Sequence, residues 1–338
     1  MRIALILPFL IATFATFGMN DYTQLIVLYI AINIILATSL NLVNGFCGQF
    51  SLGHAGFMAL GGYTSAALSM HFHPFDGAFQ FLNFLIYALA GGAVAGAAGW
   101  LVGLPSLRLK GDYLAIVTLG FGEIIRVLFL NTESLGGARG LFGIVGLHGI
   151  DLFGLQLSPF FMSCTIAYLW ASFTFLFLWR WTHSSFGRAF LSVREDELAA
   201  ECMGVNTTRT KVLAFVISSF FAGLAGSLYA HTTNYLSPAS FQFTRSVDVV
   251  IMVVLGGMGS LTGSVIAAII VTILPEALRP VQDLIGIDIR MVIYSLLLIL
   301  LMILRPQGLL GGKEWSYFLD SSLKRTTDIW RRYVRRPS

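Results

Sequence analysis

Glu123 and Arg126 stand three residues apart inside an otherwise apolar run, Tyr113–Leu130. That spacing puts both on one face of a helix, close enough to pair. A charge within a membrane is costly and faces the bundle interior or a water-filled cavity. Two roles fit the pair: a polar element of a pathway, or a structural tie that pins two spans together. Asp248, at the mouth of a second apolar segment, carries the same two readings. His54 follows Gly53 at a glycine hinge and reads as a packing or hydrogen-bonding residue ahead of a substrate contact. No residue set here suits nucleophilic or acid–base catalysis, and no catalytic residue is assigned. Cys47, Cys164 and Cys202 lie far apart, without metal-ligand spacing, and read as small packing residues. His71 and His73, just before Pro74, read as loop polarity, so no metal site is expected. The chain has no G-x-x-x-x-G-K-[ST] loop to cradle phosphates, so it does not hydrolyse ATP by that route, and no bound cofactor is expected.

These charges are set in a membrane-type sequence. The 338 residues are 56% hydrophobic and only 11% charged, against roughly 25% charged in soluble domains. A spanning helix needs roughly 20 mostly apolar residues, because the hydrocarbon core is about 30 Å thick. Leu25–Val43, Phe84–Leu104, Phe160–Trp181, Val212–Ala230 and Met291–Leu304 meet or approach that length, as do Phe50–Met70 and Tyr113–Leu130. Ile3–Gly18, behind Arg2, resembles a signal peptide but lacks an A-x-A cleavage pattern and is read as a retained first span. The 35 glycines suit helices that approach closely.

Cytoplasmic loops are enriched in Lys and Arg. Most of the 21 basic residues fall at Arg2, at Arg108 and Lys110, between Arg180 and Lys211, and in the tail from Arg305 to Arg336. Placing these on the cytoplasmic side gives an all-α, polytopic bundle of about eight spans with both termini cytoplasmic. A transmembrane domain covers 1–312 with a cytoplasmic loop at 182–211, and a basic tail covers 313–338. The glycine-rich stretch Asn131–Ser158 is then external.

The segment Val247–Pro275 does not fit a single crossing, which would put the basic tail outside. It divides into Val249–Leu255 and Val265–Leu274 around Gly256-Gly-Met-Gly-Ser-Leu-Thr-Gly263. We expect a re-entrant pair of half-helices, since irregular backbone at membrane depth must be satisfied by protein or by a water-lined cavity. Gly48-Gln-Phe-Ser-Leu-Gly53 echoes Gly257-Met-Gly-Ser-Leu-Thr-Gly263. Glycine-interrupted segments in matching places point to a transport pathway. They add Ser51, Gly257, Gly259 and Ser260 to His54, Glu123, Arg126 and Asp248 as pathway candidates.

Between two spans, Ser192 and Glu195 match a capping box. Glu195, Asp196 and Glu197 suit the positive end of a helix dipole, and Gly204 suits a left-handed stop. The pattern predicts a helix over Val193–Met203, with Ala199 and Ala200 as a small surface for a groove on another protein. An ordinary surface helix remains the alternative.

Four stretches resemble one family. Ser185-Phe-Gly-Arg188, Arg194-Glu-Asp-Glu197 and Ala199-Ala200 with Gly204-Val-Asn206 are similar to the cytoplasmic loop of ABC-transporter permeases for branched-chain amino acids, of the LivM type. The usual Glu-Ala-Ala-x-x-x-Gly appears as Leu198-Ala199-Ala200-x-x-x-Gly204, a departure in its first residue. Asn41-Leu-Val-Asn-Gly45 with Gly48–Phe57, Thr118–Arg126 with Gly136–Gly140, and Gly256–Gly263 also match in order, over about residues 22–310. The resemblance implies a multi-pass protein of the bacterial inner membrane. It would pair with a second permease, dock two cytoplasmic ATPases through Arg194, Glu195, Asp196, Glu197, Ala199, Ala200 and Gly204, and receive substrate from a periplasmic binding protein. ATP would be used by the partner subunits. Membrane lipid is a partner and nucleic acid is not. Urea or short amides are rival substrates, and an ion-coupled secondary transporter is the rival class.

Overall fold

The computed structural model describes residues 20–72, 81–106, 112–146 and 159–279, with 293, 295, 296, 299, 300, 303–305 and 307–311 beyond them. The expected first span Ile3–Gly18, the Arg108/Lys110 loop, residues 147–158 and the tail 313–338 lie outside the described residues. Ten α-helices are defined among the described residues: α1 Asp21–Asn41, α2 His54–His71, α3 Phe81–Ser106, α4 Asp112–Asn131, α5 Pro159–Thr182, α6 Ser185–Glu195, α7 Glu197–Cys202, α8 Thr207–Thr233, α9 Phe243–Gly256 and α10 Leu261–Ala277. Five helical stretches, in α1, α3, α4, α5 and α8, are long and apolar enough to cross a membrane. Of the expected last span Met291–Leu304, only residues 293, 295, 296, 299, 300, 303 and 304 are described, all helical.

The bundle is built around α8, which packs on α3, α2 and α1. Apolar helices in lipid gain little from the hydrophobic effect on meeting each other, so close approach of small residues supplies the packing. The α2–α8 crossing follows that rule. A Cβ on Gly61 would collide with the backbone of Gly223, and one on Gly226 with the carbonyl of Met58. Position in the bundle tracks burial: 83% of the α1 span is covered by the chain, against 22% of the α4 span. Helix α4 is therefore peripheral in this chain, with Tyr113, Ile116, Ile124 and Leu128 exposed.

After α4, two short 3-10 turns lead to β1, Leu141–Phe142, which pairs antiparallel with β2, Tyr235–Leu236, just after α8. The Tyr235 hydroxyl donates to the Arg139 carbonyl at 3.1 Å, and His231 Nδ1 lies 2.6 Å from the Val145 carbonyl. These contacts hold the described part of the glycine-rich loop to the α8–α9 connection.

Two helices are interrupted where the sequence repeats its glycine motif. Helix α1 runs on into a π turn, Leu42–Phe46, and residues 47–53 are then non-helical before α2 begins at His54. Helices α9 and α10 are joined by Gly257–Ser260 and fold back on each other: a Cβ on Gly256 would strike Gly263. The turn needs left-handed backbone, with φ of 103° at Gly257 and 86° at Gly259. Fourteen and 17 residues make these helices about 21 and 26 Å long, short of the roughly 30 Å hydrocarbon core. Both exceed the cores read from sequence, because Phe243–Asp248 and Pro275–Ala277 continue the helices with less apolar residues.

One expectation is corrected. Val193–Met203 is not a single helix. The chain instead forms α6 and α7 with a break at Asp196, whose backbone is extended at φ −157°, ψ 113°. Ser192 is inside α6, its hydroxyl donating to the Ala189 carbonyl at 2.9 Å, so there is no capping box. The reason is local. Ser184 caps α6 two residues after α5 ends, accepting from Phe186 N. That places Ser192 mid-helix before it can act as a cap. Asp196 then caps α7 by accepting from the amides of Leu198 and Ala199 at 2.9 and 3.1 Å.

Candidate functional site

The pathway candidates separate into two places. The first is a junction of the two interrupted elements. Asn41, at the end of α1, donates through Nδ2 to the Ser260 carbonyl and Ser264 Oγ, both at 2.8 Å, and accepts from Gly259 N at 2.9 Å. One amide side chain thus satisfies both sides of the α9–α10 turn. Ser260 is fully buried and caps α10, accepting from Gly263 N at 3.1 Å. The non-helical stretch 47–53 is held in the same manner. Asn44 Oδ1 accepts from Ser51 N at 3.1 Å, and Thr118 Oγ1 from Leu52 N at 3.0 Å. Ser246 Oγ of α9 accepts from Ala55 N at 3.1 Å. His54 is buried at the start of α2 with Nε2 2.9 Å from Ser39 Oγ, which is the hydrogen-bonding role expected of it. Backbone freed by the breaks is therefore paired with side chains.

The second place is the start of α9. Glu123 and Arg126 pair at 2.7 Å, with about a third of the Glu123 side chain and a quarter of the Arg126 side chain exposed. The other carboxylate oxygen of Glu123 accepts from Phe243 N at 3.2 Å. Phe243 is the first residue of α9, so a carboxylate from α4 occupies the positive end of that helix. Of the two roles weighed from sequence, the contacts describe the tie: the pair links α4 to the start of α9. Two residues further on, Arg245 Nη2 donates to Asn33 Oδ1 at 2.7 Å, and Asn33 Nδ2 donates to Thr272 Oγ1 at 2.8 Å. Asp248 lies one turn along α9 from Arg245 and is half-buried. Helix α9 thus connects the two places, one at each of its ends.

Sequence reading missed the side chains that hold these sites: Asn33, Ser39, Asn41, Asn44, Thr118 and Arg245. Four of them lie in or just beyond the run Leu25–Val43. A signal was present there, since an amide in an apolar span must find a partner.

The loop candidates form a third cluster. Lys211 at the start of α8 is 3% exposed and bonds Glu197 Oε1 at 2.6 Å, and Thr207 Oγ1 donates to Glu201 Oε1 at 2.6 Å. Helix α7 is thus clamped to α8. Ala200 is buried against the chain, whereas Ala199, Leu198 (67% exposed) and Met203 (84% exposed) face outward. The free face is larger and more apolar than the Ala199/Ala200 patch expected. Cys202 is exposed here, unlike buried Cys47 and Cys164. Gly204 ends the element at φ +85°, as the sequence indicated. Arg194 leaves this cluster. Its guanidinium bonds Glu195 Oε1 and also reaches the Gly45 carbonyl at 3.0 Å.

Comparisons with known proteins fit this arrangement. Residues 22–304 match the family model described as branched-chain amino acid transport system, permease component. The chain is 38% identical to the high-affinity branched-chain amino acid transport permease LivM of Escherichia coli K12, over 90% of this chain and 71% of that protein. It is 25% identical to a probable LivM of Methanocaldococcus jannaschii, over 87% and 94% of the two chains. A shorter match, 33% identical over 39% of this chain, is to the permease LivH of E. coli K12. No solved structure matches.

Proposed function

The chain belongs to the permease family of branched-chain amino acid transport systems, and from that premise we propose that it is one of two membrane permeases of an ATP-driven importer. Substrates are branched-chain or related hydrophobic amino acids. Transport is its role, and ATP is hydrolysed by two separate cytoplasmic subunits. A periplasmic binding protein delivers substrate, and the second permease is a LivH-like chain, in keeping with the shorter match. The protein is multi-pass in the bacterial inner membrane, with about eight spans, the α9–α10 hairpin entering from outside, and both termini cytoplasmic.

The observation that carries this reading is α7. It is a separately capped helix clamped to α8 by Glu197–Lys211, with Leu198, Ala199 and Met203 turned outward. An apolar face on a short rigid element suits docking into a groove of an ATPase. The pathway runs along α9 from Glu123/Arg126 to the junction at Asn41. ATPase closure shifts the equilibrium between outward- and inward-open states, which requires different interaction energies in the two.

The test is recovery of ATPases with the affinity-tagged chain from solubilised membranes. Leu198→Asp and Met203→Asp change only exposed side chains, so the chain should reach the membrane at normal level while ATPase recovery and leucine uptake fall. Full recovery of ATPases with both variants would remove α7 as the docking element.

A further inference from the structure

Arg194 is the penultimate residue of α6, at the elbow before α7, and its side chain points away from the outward face of α7. Its Nη1 donates to the Gly45 carbonyl in the π turn at 3.0 Å. Its Nε and Nη2 donate to Glu195 Oε1 at 3.1 and 2.6 Å. The surrounding backbone is shaped to admit it. At Gly48, φ is +69° and an added Cβ would lie 2.7 Å from Arg194 Cγ; at Gly259 an added Cβ would lie 2.9 Å from Arg194 Nη1. The guanidinium therefore sits where the π turn of α1 meets the α9–α10 turn, the two elements joined by Asn41. The strand of chain after the last span reaches the same spot, with Leu309 N donating to the Leu255 carbonyl at 2.7 Å.

We propose that Arg194 is a transmission strut, a positioning residue that carries movement of the α6–α7 elbow into the junction of both interrupted elements, rather than a contact to the ATPase. This rests on α7 being the docking element. Movement of α7 then has two routes into the bundle: Glu197–Lys211 into α8, and Arg194 into the Gly45/Gly259 junction. Arginine suits the second route because its planar fork holds the Glu195 carboxylate and the Gly45 carbonyl at once. A lysine ammonium is a point charge with no such fixed geometry.

The experiment uses the assembled complex in proteoliposomes, with binding protein outside and ATP inside. Leucine uptake, ATP hydrolysis and ATPase recovery are measured on the same preparations. Arg194→Gln should keep normal membrane level and full ATPase recovery and should continue to hydrolyse ATP. Leucine moved per ATP should fall at least about fivefold, the low end of ordinary coupling between sites. Arg194→Lys should regain part of that ratio. An unchanged ratio in Arg194→Gln overturns the proposal, as does loss of ATPase recovery, which would make Arg194 a docking contact. Failure of both variants to accumulate would make it a folding residue and also overturns the strut. Leu198→Asp, measured alongside, reports separately on docking: full ATPase recovery with that variant removes the underlying reading whatever Arg194 does.

Discussion

Glu123 does two jobs with two oxygens, and its removal separates them. One oxygen pairs with Arg126 and the other caps α9 at Phe243 N. Because the pair is partly exposed, the loss in Glu123→Gln is set mainly by the cap and dipole, about 1–2 kcal/mol, and not by a fully buried pair. The solubilised variant should lose its folded form at lower temperature in a thermal size-exclusion assay. Adding Arg126→Gln removes the stranded cation but does not return the negative charge to the positive end of α9, so restoration should be incomplete. Complete restoration would show that the carboxylate charge at the start of α9 contributes nothing. Lys211 is a harsher case, being almost wholly buried with Glu197 a third exposed. Glu197→Gln should cost about 1–3 kcal/mol, between the exposed-pair and buried-pair ranges, and loosen α7 from α8. Protection of the amides of α7 from hydrogen exchange reports this, and unchanged protection would sever the clamp from the argument. Residue-level reading from sequence found the charges because ions stand out in apolar runs. It passed over Asn41 and Asn44, whose importance depends on partners far away in the chain, at Ser260 and in the stretch that leads to α2.

The long elements were legible because an apolar run of spanning length has few other interpretations. The glycine interruptions were legible too, and both fall where the backbone breaks. The loop was misread for a physical reason: Ser192-x-x-Glu195 fits a capping pattern, but whether a serine caps depends on where the preceding helix starts. Ser184 starts it earlier. The same correction moves the proposed docking face from Ala199/Ala200 to Leu198, Ala199 and Met203. Substitution of Ala200 by a large residue would now act by disrupting the chain's own packing. Gly204→Val would act through backbone strain alone, since an added Cβ meets nothing within 4 Å at φ +85°. At the helix-crossing level, Gly223→Val should force α3 and α8 apart, because a Cβ there would already lie 2.5 Å from Ala95 Cβ and 2.8 Å from the Gly91 carbonyl. The expected outcome is a large fall in monodisperse protein after detergent extraction, whereas Gly120→Val, at a position with open space, should extract normally. Equal yields from the two would mean that close approach at this crossing is not what holds α8 in place.

For the whole molecule, the α9–α10 turn, the α6–α7 elbow and residues 308–310 share one end of the bundle. The Glu123–Phe243 contact at the start of α9 and the β1–β2 pairing after α4 and α8 lie at the opposite ends of α9 and α8. This supports a cytoplasmic tail, because the elbow lies in the basic loop. A cysteine placed near Ser321, with native cysteines replaced, should resist a membrane-impermeant thiol reagent in intact cells and react once the membrane is opened. Labelling in intact cells would reverse the tail. The account's central claim, that the chain is a permease of an ATP-driven branched-chain amino acid importer, is tested most directly by leucine accumulation in proteoliposomes. These contain this chain, the second permease and the ATPases. The account predicts accumulation against a gradient that needs internal ATP and external binding protein and is indifferent to a protonophore. Accumulation that proceeds without ATP and collapses when the ion gradient is dissipated would contradict it.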